Sequence, residues 1–280
     1  MKTSDHALDA NFHLWWKHTP TYQDHKVGCF TPPSSLAQLA AAEAFLRAQG
    51  CTIAIGPMEG NTWRTHRAVI ESDNSPPFLL EPRTPVKTAE ILRSADYQIL
   101  AQYTSSKIDL TQNQPNLTRL QSRLSHLKIR PLNLTHIESE LRLIYKISIQ
   151  TFTNNFLYTP ISESEFLAQY LPFKPHLTPN CAFIAEHGSK PIGFVFGYPD
   201  QNSEDFIVKT LAVLPERSYA GLGTLLVQLI QDKAKEAGFR KAIHALQRED
   251  NQSLRISTRF NATIFRRYAL FAKKLSPENP

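Results

Sequence analysis

No stretch of this sequence approaches the roughly 20 consecutive apolar residues of a membrane-spanning helix. Its opening residues, Met-Lys-Thr-Ser-Asp-His, hold no apolar signal core. Cysteine is scarce, with Cys29, Cys51 and Cys181 the only three. They are too few and too scattered for a disulfide framework or a metal cluster, so a reducing, cytoplasmic setting without bound metal is expected. An arginine-rich arm is also missing. The 31 Lys+Arg exceed the 25 Asp+Glu only mildly, despite a pI near 9.2, which argues against nucleic acid as the partner. What is present is a globular composition: 280 residues, 41% hydrophobic, enough for one large or two small domains.

The most informative segment is 211–223, Leu-Ala-Val-Leu-Pro-Glu-Arg-Ser-Tyr-Ala-Gly-Leu-Gly. A branched, apolar run from Phe206 to Val213 stops at Pro215. A short polar turn leads to Gly221-Leu222-Gly223, and a helical pattern runs from Thr224 to Ala237. A strand feeding a glycine-bearing turn at a helix start leaves several backbone N–H groups unpaired at the positive end of the helix dipole. Such a site binds phosphates. Glycine at 221 and 223 lets a bulky anion approach the main chain. The same pattern is also compatible with an ordinary strand–turn–helix joint.

Neighbouring segments extend the pattern. Cys181 to Tyr198 reads as two strands joined by the turn His187-Gly188-Ser189-Lys190. Gly238 closes the helix, and Lys241 to Leu246 is a short strand leading to Asp250-Asn251-Gln252-Ser253, a helix-start signal. Tyr268 to Ala272 is a last strand. This order, over residues 127–275, resembles the GNAT superfamily of acyl-CoA-dependent N-acyltransferases. The resemblance implies an α/β (α+β) fold, a mixed twisted sheet flanked by helices. It also implies acetyl-CoA as cosubstrate, held by Arg217, Ser218, Tyr219, Ala220, Gly221, Leu222, Gly223 and Thr224. The family's loop opens on Arg or Gln, where this chain has Ser218, with Arg217 one place early. Asn251 matches the Asn that opens the family's penultimate helix near the pantetheine arm, and Asn is also a good helix N-cap without any ligand.

The first half echoes the second. Lys26 to Phe30 reads as a strand, Ser34 to Gln49 as an amphipathic helix with a Ser cap closed by Gly50, and Cys51 to Gly56 as another strand. A polar stretch from Ser105 to Ser125 reads as the connection between halves. We therefore expect two tandem GNAT-like lobes, a degenerate one at 1–125 and a cofactor-binding one at 126–280. The first has Thr31-Pro32-Pro33 in place of the Gly-x-Gly loop, and proline lacks the N–H that a phosphate cradle needs. The segments Gly56 to Arg64 and Pro76 to Pro82 resemble those of bacterial two-lobed GNAT-like proteins. Glu59, Trp63 and Arg64 could line a pocket, or the aromatic could plug the core. Basic residues gather in the second half: 1–125 carries 12 Lys+Arg and 11 Asp+Glu, 126–280 carries 19 and 14. Arg255, Arg259, Arg266 and Arg267 are the densest cluster, either a phosphate-binding patch or a solvated face.

In the chemistry that the resemblance implies, an amine attacks the thioester directly. Main-chain groups of Leu211, Ala212 and Val213 would polarise the carbonyl, and groups with near-neutral pKa would move protons. Ile207 stands where many members carry a carboxylate, and Thr258 where many carry a proton-donating Tyr. His244 and Tyr268 remain as catalytic candidates, with His244 equally readable as a core histidine. Lys209, if aimed into the cleft, would suit an anionic substrate. The expected function is N-acetylation of a small-molecule or peptide amine. The alternatives are a non-catalytic CoA-binding regulatory module and an aminoacyl-transferring two-lobed protein.

Overall fold

The computed structural model describes residues 4–275, so the N-terminal reading falls partly outside the described residues. The first half runs β1 (His6–Ala7), β2 (His13–Trp15), β3 (Val27–Phe30), α1 (Leu36–Ala48), β4 (Ile53–Gly56), β5 (Ala68–Ser72), α2 (Thr88–Ser94) and β6 (Gln98–Asp109). The second runs α3 (Thr118–Arg123), β7 (Lys128–Pro131), α4 (Ile137–Phe152), α5 (Glu163–Tyr170), β8 (Ala182–His187), β9 (Lys190–Pro199) and β10 (Asp205–Val213). It continues through α6 (Leu222–Glu236), β11 (Lys241–Arg248), α7 (Gln252–Arg259) and β12 (Thr263–Lys274).

Local chemistry explains the helices that flank the sheet. Ser35 caps α1 by accepting from the Gln38 N–H, and Gly50 follows at φ +76°. In α6, Leu222, Leu225, Leu226, Ile230 and Ala234 recur at helical spacing and are buried. Each fully buried Leu or Ile contributes about 1.5–3 kcal/mol. Gly188 at φ +60° makes the tight turn of the β8–β9 hairpin.

All twelve strands form one mixed sheet, with β1-β2-β3-β4-β12-β6-β11-β10-β9-β8-β7 as its path and β5 pairing β12. The echo seen in the sequence has a structural counterpart. With β5 inserted after β4, the order β3–α1–β4–α2–β6 is repeated as β10–α6–β11–α7–β12, and in both the first two strands are parallel. The last strands are exchanged: β6 pairs β11, β12 pairs β4, and β6 and β12 pair each other antiparallel. The sheet therefore runs straight through the expected division at 125/126.

One expectation needs correction. Ser105 to Asp109 is no connector but the second half of β6, a central strand. Thr104, Ser105 and Ser106 are buried. The Ser105 hydroxyl accepts from the Leu246 N–H at 3.1 Å and donates to the Tyr268 hydroxyl at 3.0 Å, so its polarity is used inside the sheet. The connector is shorter, 110–127, and contains α3.

Candidate active site

The sheet opens between β10 and β11. They pair in parallel only from Asp205/Lys241 to Val208/His244, although both strands continue. An irregularity on each strand causes the split. β10 shifts register against β9 at Lys209, and β11 shifts against β6 between His244 and Gln247, with Leu246 at φ +60°. The Leu214 N–H donates to the Ile192 carbonyl of β9 at 2.8 Å. By strand alternation the Ala212 N–H also faces β9, whereas those of Leu211 and Val213 face the opening. Of the three main-chain donors expected, Ala212 is thus committed to the sheet.

Beyond Val213 the chain forms a single 3-10 turn, Arg217–Tyr219, then Gly221 at φ +87° as the N-cap of α6, with no side-chain cap. The Gly221 carbonyl accepts from Thr224 and Leu225, while the N–H groups of Leu222 and Gly223 are first-turn donors outside the helix ladder. A Cβ on Gly221 would lie 2.6 Å from Leu120 and 3.2 Å from Arg123 of α3, and Arg123 donates to the Ala220 carbonyl. A Cβ on Gly223 would meet Ile256 and Leu211 at 3.3 Å. Arg217 and Ser218 are exposed, whereas Tyr219 is buried with its hydroxyl 3.2 Å from His187 Nδ1 and so anchors the turn. Asn251 is the N-cap of α7, accepting from the Ser253 N–H at 3.5 Å. The Leu222 and Gly223 N–H groups thus lie at the positive end of the α6 dipole, while the space beside Gly221 is taken by Leu120 and Arg123 of α3.

Both catalytic candidates lie elsewhere than in the opening. His244 is buried between β11 and the helices, with Nδ1 2.7 Å from Ser257 Oγ and Nε2 2.8 Å from Gln231. Burial lowers its pKa to about 3, so it is a neutral link holding α6 and α7 to the sheet. Tyr268 is fully buried and donates to the Glu81 carboxylate; burial first, then Glu81, push its pKa up. Arg266 and Arg267 are not a phosphate patch. Arg266 pairs with Glu81 at 2.5 Å, and Arg267 with Glu71 at 3.1 Å and Glu249 at 2.5 Å.

First-half segments complete the opening. Trp63 plugs the second half rather than lining a pocket: it packs on Phe152, Tyr158 and Phe166 and donates to the Thr159 carbonyl at 2.8 Å. In the other loop, the Leu79 N–H donates to Asp200 at 2.8 Å, and the Leu79 carbonyl accepts from the Tyr198 hydroxyl at 2.5 Å. The first of these loops carries His66 and Arg67, which the sequence reading did not single out. Arg67 sits at φ +78°, 6% exposed, with its guanidinium 3.9 Å over the Tyr103 ring. Nη1 donates to the Leu246 carbonyl at 3.0 Å, Nη2 donates to His66 Nε2, and Nε has no partner. His66 Nδ1 donates to the Arg64 carbonyl at 2.8 Å, and burial, then Arg67, push its pKa well down, so it is neutral. Half-buried Lys209 stands near Arg67 and Glu81; burial, then Arg67, lower its pKa to about 7. Arg67 itself is lowered to about 10 by burial.

No helix among the described residues is long and apolar enough to cross a membrane, and no group of three His, Cys, Asp or Glu there is placed to hold a metal.

An opened parallel strand pair beside a glycine-led helix is the arrangement that the GNAT resemblance leads one to expect. Residues 142–256 match the profile of the Acetyltransferase (GNAT) family, and this segment is a GNAT domain. The chain is similar to a GCN5-related N-acetyltransferase from Sphaerobacter thermophilus (TM-score 0.56, 12% identity, 95% of this chain and 76% of that one). It is also similar to a tandem GNAT protein from the clavulanic acid biosynthesis pathway (TM-score 0.51, 12% identity, 87% and 70%). These likenesses show the fold, a GNAT fold in tandem. Among curated proteins, Protein YghO of Escherichia coli K12 is 23% identical over 87% of this chain and 71% of its own. A bacterial ceramide synthase of Caulobacter vibrioides is 22% identical over 58% of this chain and 43% of its own.

Proposed function

We propose that the chain is an acyl-CoA-dependent N-acyltransferase that uses acetyl-CoA to acylate an amine. The observation that carries this reading is the opening itself, where β10 and β11 separate beyond Val208 and His244 and the Leu211 and Val213 N–H groups face the gap. The N–H groups of Leu222 and Gly223 would hold the diphosphate of the donor, which supplies an activated thioester. Leu211 and Val213 would polarise its carbonyl. A neutral amine then attacks the carbonyl carbon, the C–S bond breaks, and the amine's proton ends on the thiolate. With His244 and Tyr268 sealed off, alignment of the reactants carries much of the rate. The cytoplasm is the compartment this reading favours, and the contact of Arg67 with the Leu246 carbonyl beside the opening supports a first half that shapes the acceptor side.

Ceramides are amides, so the name of the Caulobacter relative agrees with N-acylation. It also supports a second reading in which the donor chain is longer than acetyl. Thiol release from acyl-CoAs of increasing chain length, with and without a panel of amines, tests both. Amine-dependent release is expected, fastest with acetyl-CoA. Release best supported by long chains favours the second reading, and none with any donor contradicts both.

A further inference from the structure

The polar groups around the opening do not balance in charge. Glu81 is neutralised by Arg266 at 2.5 Å, and its other oxygen accepts from Tyr268. Asp73 pairs with Lys107 at 3.0 Å. Glu59 is buried in the loop that carries Arg67 and has a partner of its own. Among the described residues, neither Arg67 nor Lys209 forms a salt bridge, and the Arg67 Nε is buried without any acceptor. His66 and Tyr103, which flank the guanidinium, are neutral: His66 by the proton arrangement above and Tyr103 because burial raises its pKa. A desolvated guanidinium normally has a counter-ion, because an unpaired buried charge is strongly unfavourable.

The position of the two cations says what the counter-ion belongs to. Arg67 is tied to the Leu246 carbonyl on one wall of the opening, and Lys209 is the bulge residue on the other. Lys209 is two residues before Leu211, about 7 Å along a strand. Lys209, Thr210, Leu246 and Gln247 are all half-buried, so both walls of the opening keep some contact with solvent.

We infer that Arg67 and Lys209 together bind a carboxylate of the acyl acceptor, which is therefore an amino acid. Its carboxylate lies between the guanidinium and the ammonium, and its amine reaches the carbonyl carbon held by Leu211 and Val213. A planar guanidinium donates two hydrogen bonds to a carboxylate, and a flexible ammonium completes the grip. Burial first, and then the neighbouring Arg67 guanidinium, lower the basicity of Lys209, as expected where two cations lie close together. This assignment rests on the acyltransferase reading and narrows its substrate class.

The test uses binding, which needs no turnover. The full-length protein is titrated calorimetrically with N-acetyl derivatives of glycine, leucine, phenylalanine, lysine and glutamate, and with the matched N-acetyl methylamides, which lack the carboxylate. At least one N-acetyl amino acid is expected to bind tenfold or more tightly than its methylamide. Arg67→Met and Lys209→Met should each erase that preference, and Arg67→Lys should restore part of it. Retained acetyl-CoA affinity and an unchanged circular dichroism spectrum show that each variant is folded. Equal binding of the acids and methylamides, binding of neither, or a preference that survives both Met variants overturns the inference. A parallel acetyl-CoA titration reports on the acyltransferase reading, so the two failures are distinguishable.

Discussion

Lys209 in the folded chain loses its proton near pH 7, against an ordinary value of 10.5. Between those values the unfolded chain holds more protons, so stability rises with pH across that window. Arg67, lowered to about 10, adds a rise only above that pH. Lys209→Met should flatten the gradient between pH 7 and 10, with the largest gain in stability near pH 7. Urea unfolding at both ends of the window measures it, and an unchanged gradient would mean that the ammonium is solvated. His244 gives the opposite kind of prediction. Its two ring bonds, to Ser257 and Gln231, are structural, so His244→Ala should cost about 2–4 kcal/mol of folding stability. Acetyl-CoA affinity of the folded variant should remain unchanged, which calorimetry checks. At this scale the sequence was only partly legible. Lys209 could be placed on a strand face near the cleft, but Arg67 reaches the opening from a loop at φ +78°. No periodicity encodes such a backbone turn, and sequence separation hides the Arg67–Leu246 contact.

Gly221 shows what one backbone position does for a whole element. At φ +87° it starts α6 in a conformation that disfavours L side chains, and α3 leaves no space for a Cβ. Gly221→Ala should therefore cost about 1–2 kcal/mol through strain alone, read as a lower urea midpoint with α-helical signal retained. The elements that were easiest to read carry their own boundaries: Ser35 and Gly50 around α1, Gly221 and Gly238 around α6, Asn251 before α7. β6 was hidden by the reverse. Its Ser105 and Ser106 look like the start of a linker, yet both are buried, and Tyr268 and the Leu246 N–H satisfy Ser105 from other strands. Bulges at Lys209 and Leu246 were equally invisible, since a bulge is a relation between two strands rather than a residue pattern.

Over the whole molecule, the exchange of β6 and β12 ties the halves together. A chain of residues 126–280 alone would lose β6, leaving the inner edges of β11 and β12 without a partner. Unpaired apolar edges invite association, so we expect that fragment to aggregate or lack a near-ultraviolet dichroism signature, and to recover when co-expressed with 1–125. A monomeric, native-like fragment on size-exclusion chromatography would show that each half folds unaided. The same exchange brings the Arg67 loop against the Leu246 carbonyl beside the opening, and on the proposed reading this is how the first half would take part in acceptor recognition. The central claim concerns that opening, and calorimetric titration of the full chain with acetyl-CoA, beside Gly221→Glu, tests it most directly. Saturable one-to-one binding by the wild-type chain, lost in a Gly221→Glu variant that remains folded, is the predicted result. Failure of the folded wild-type chain to bind, or equal binding by both proteins, would contradict the assignment of the opening as an acyl-CoA site.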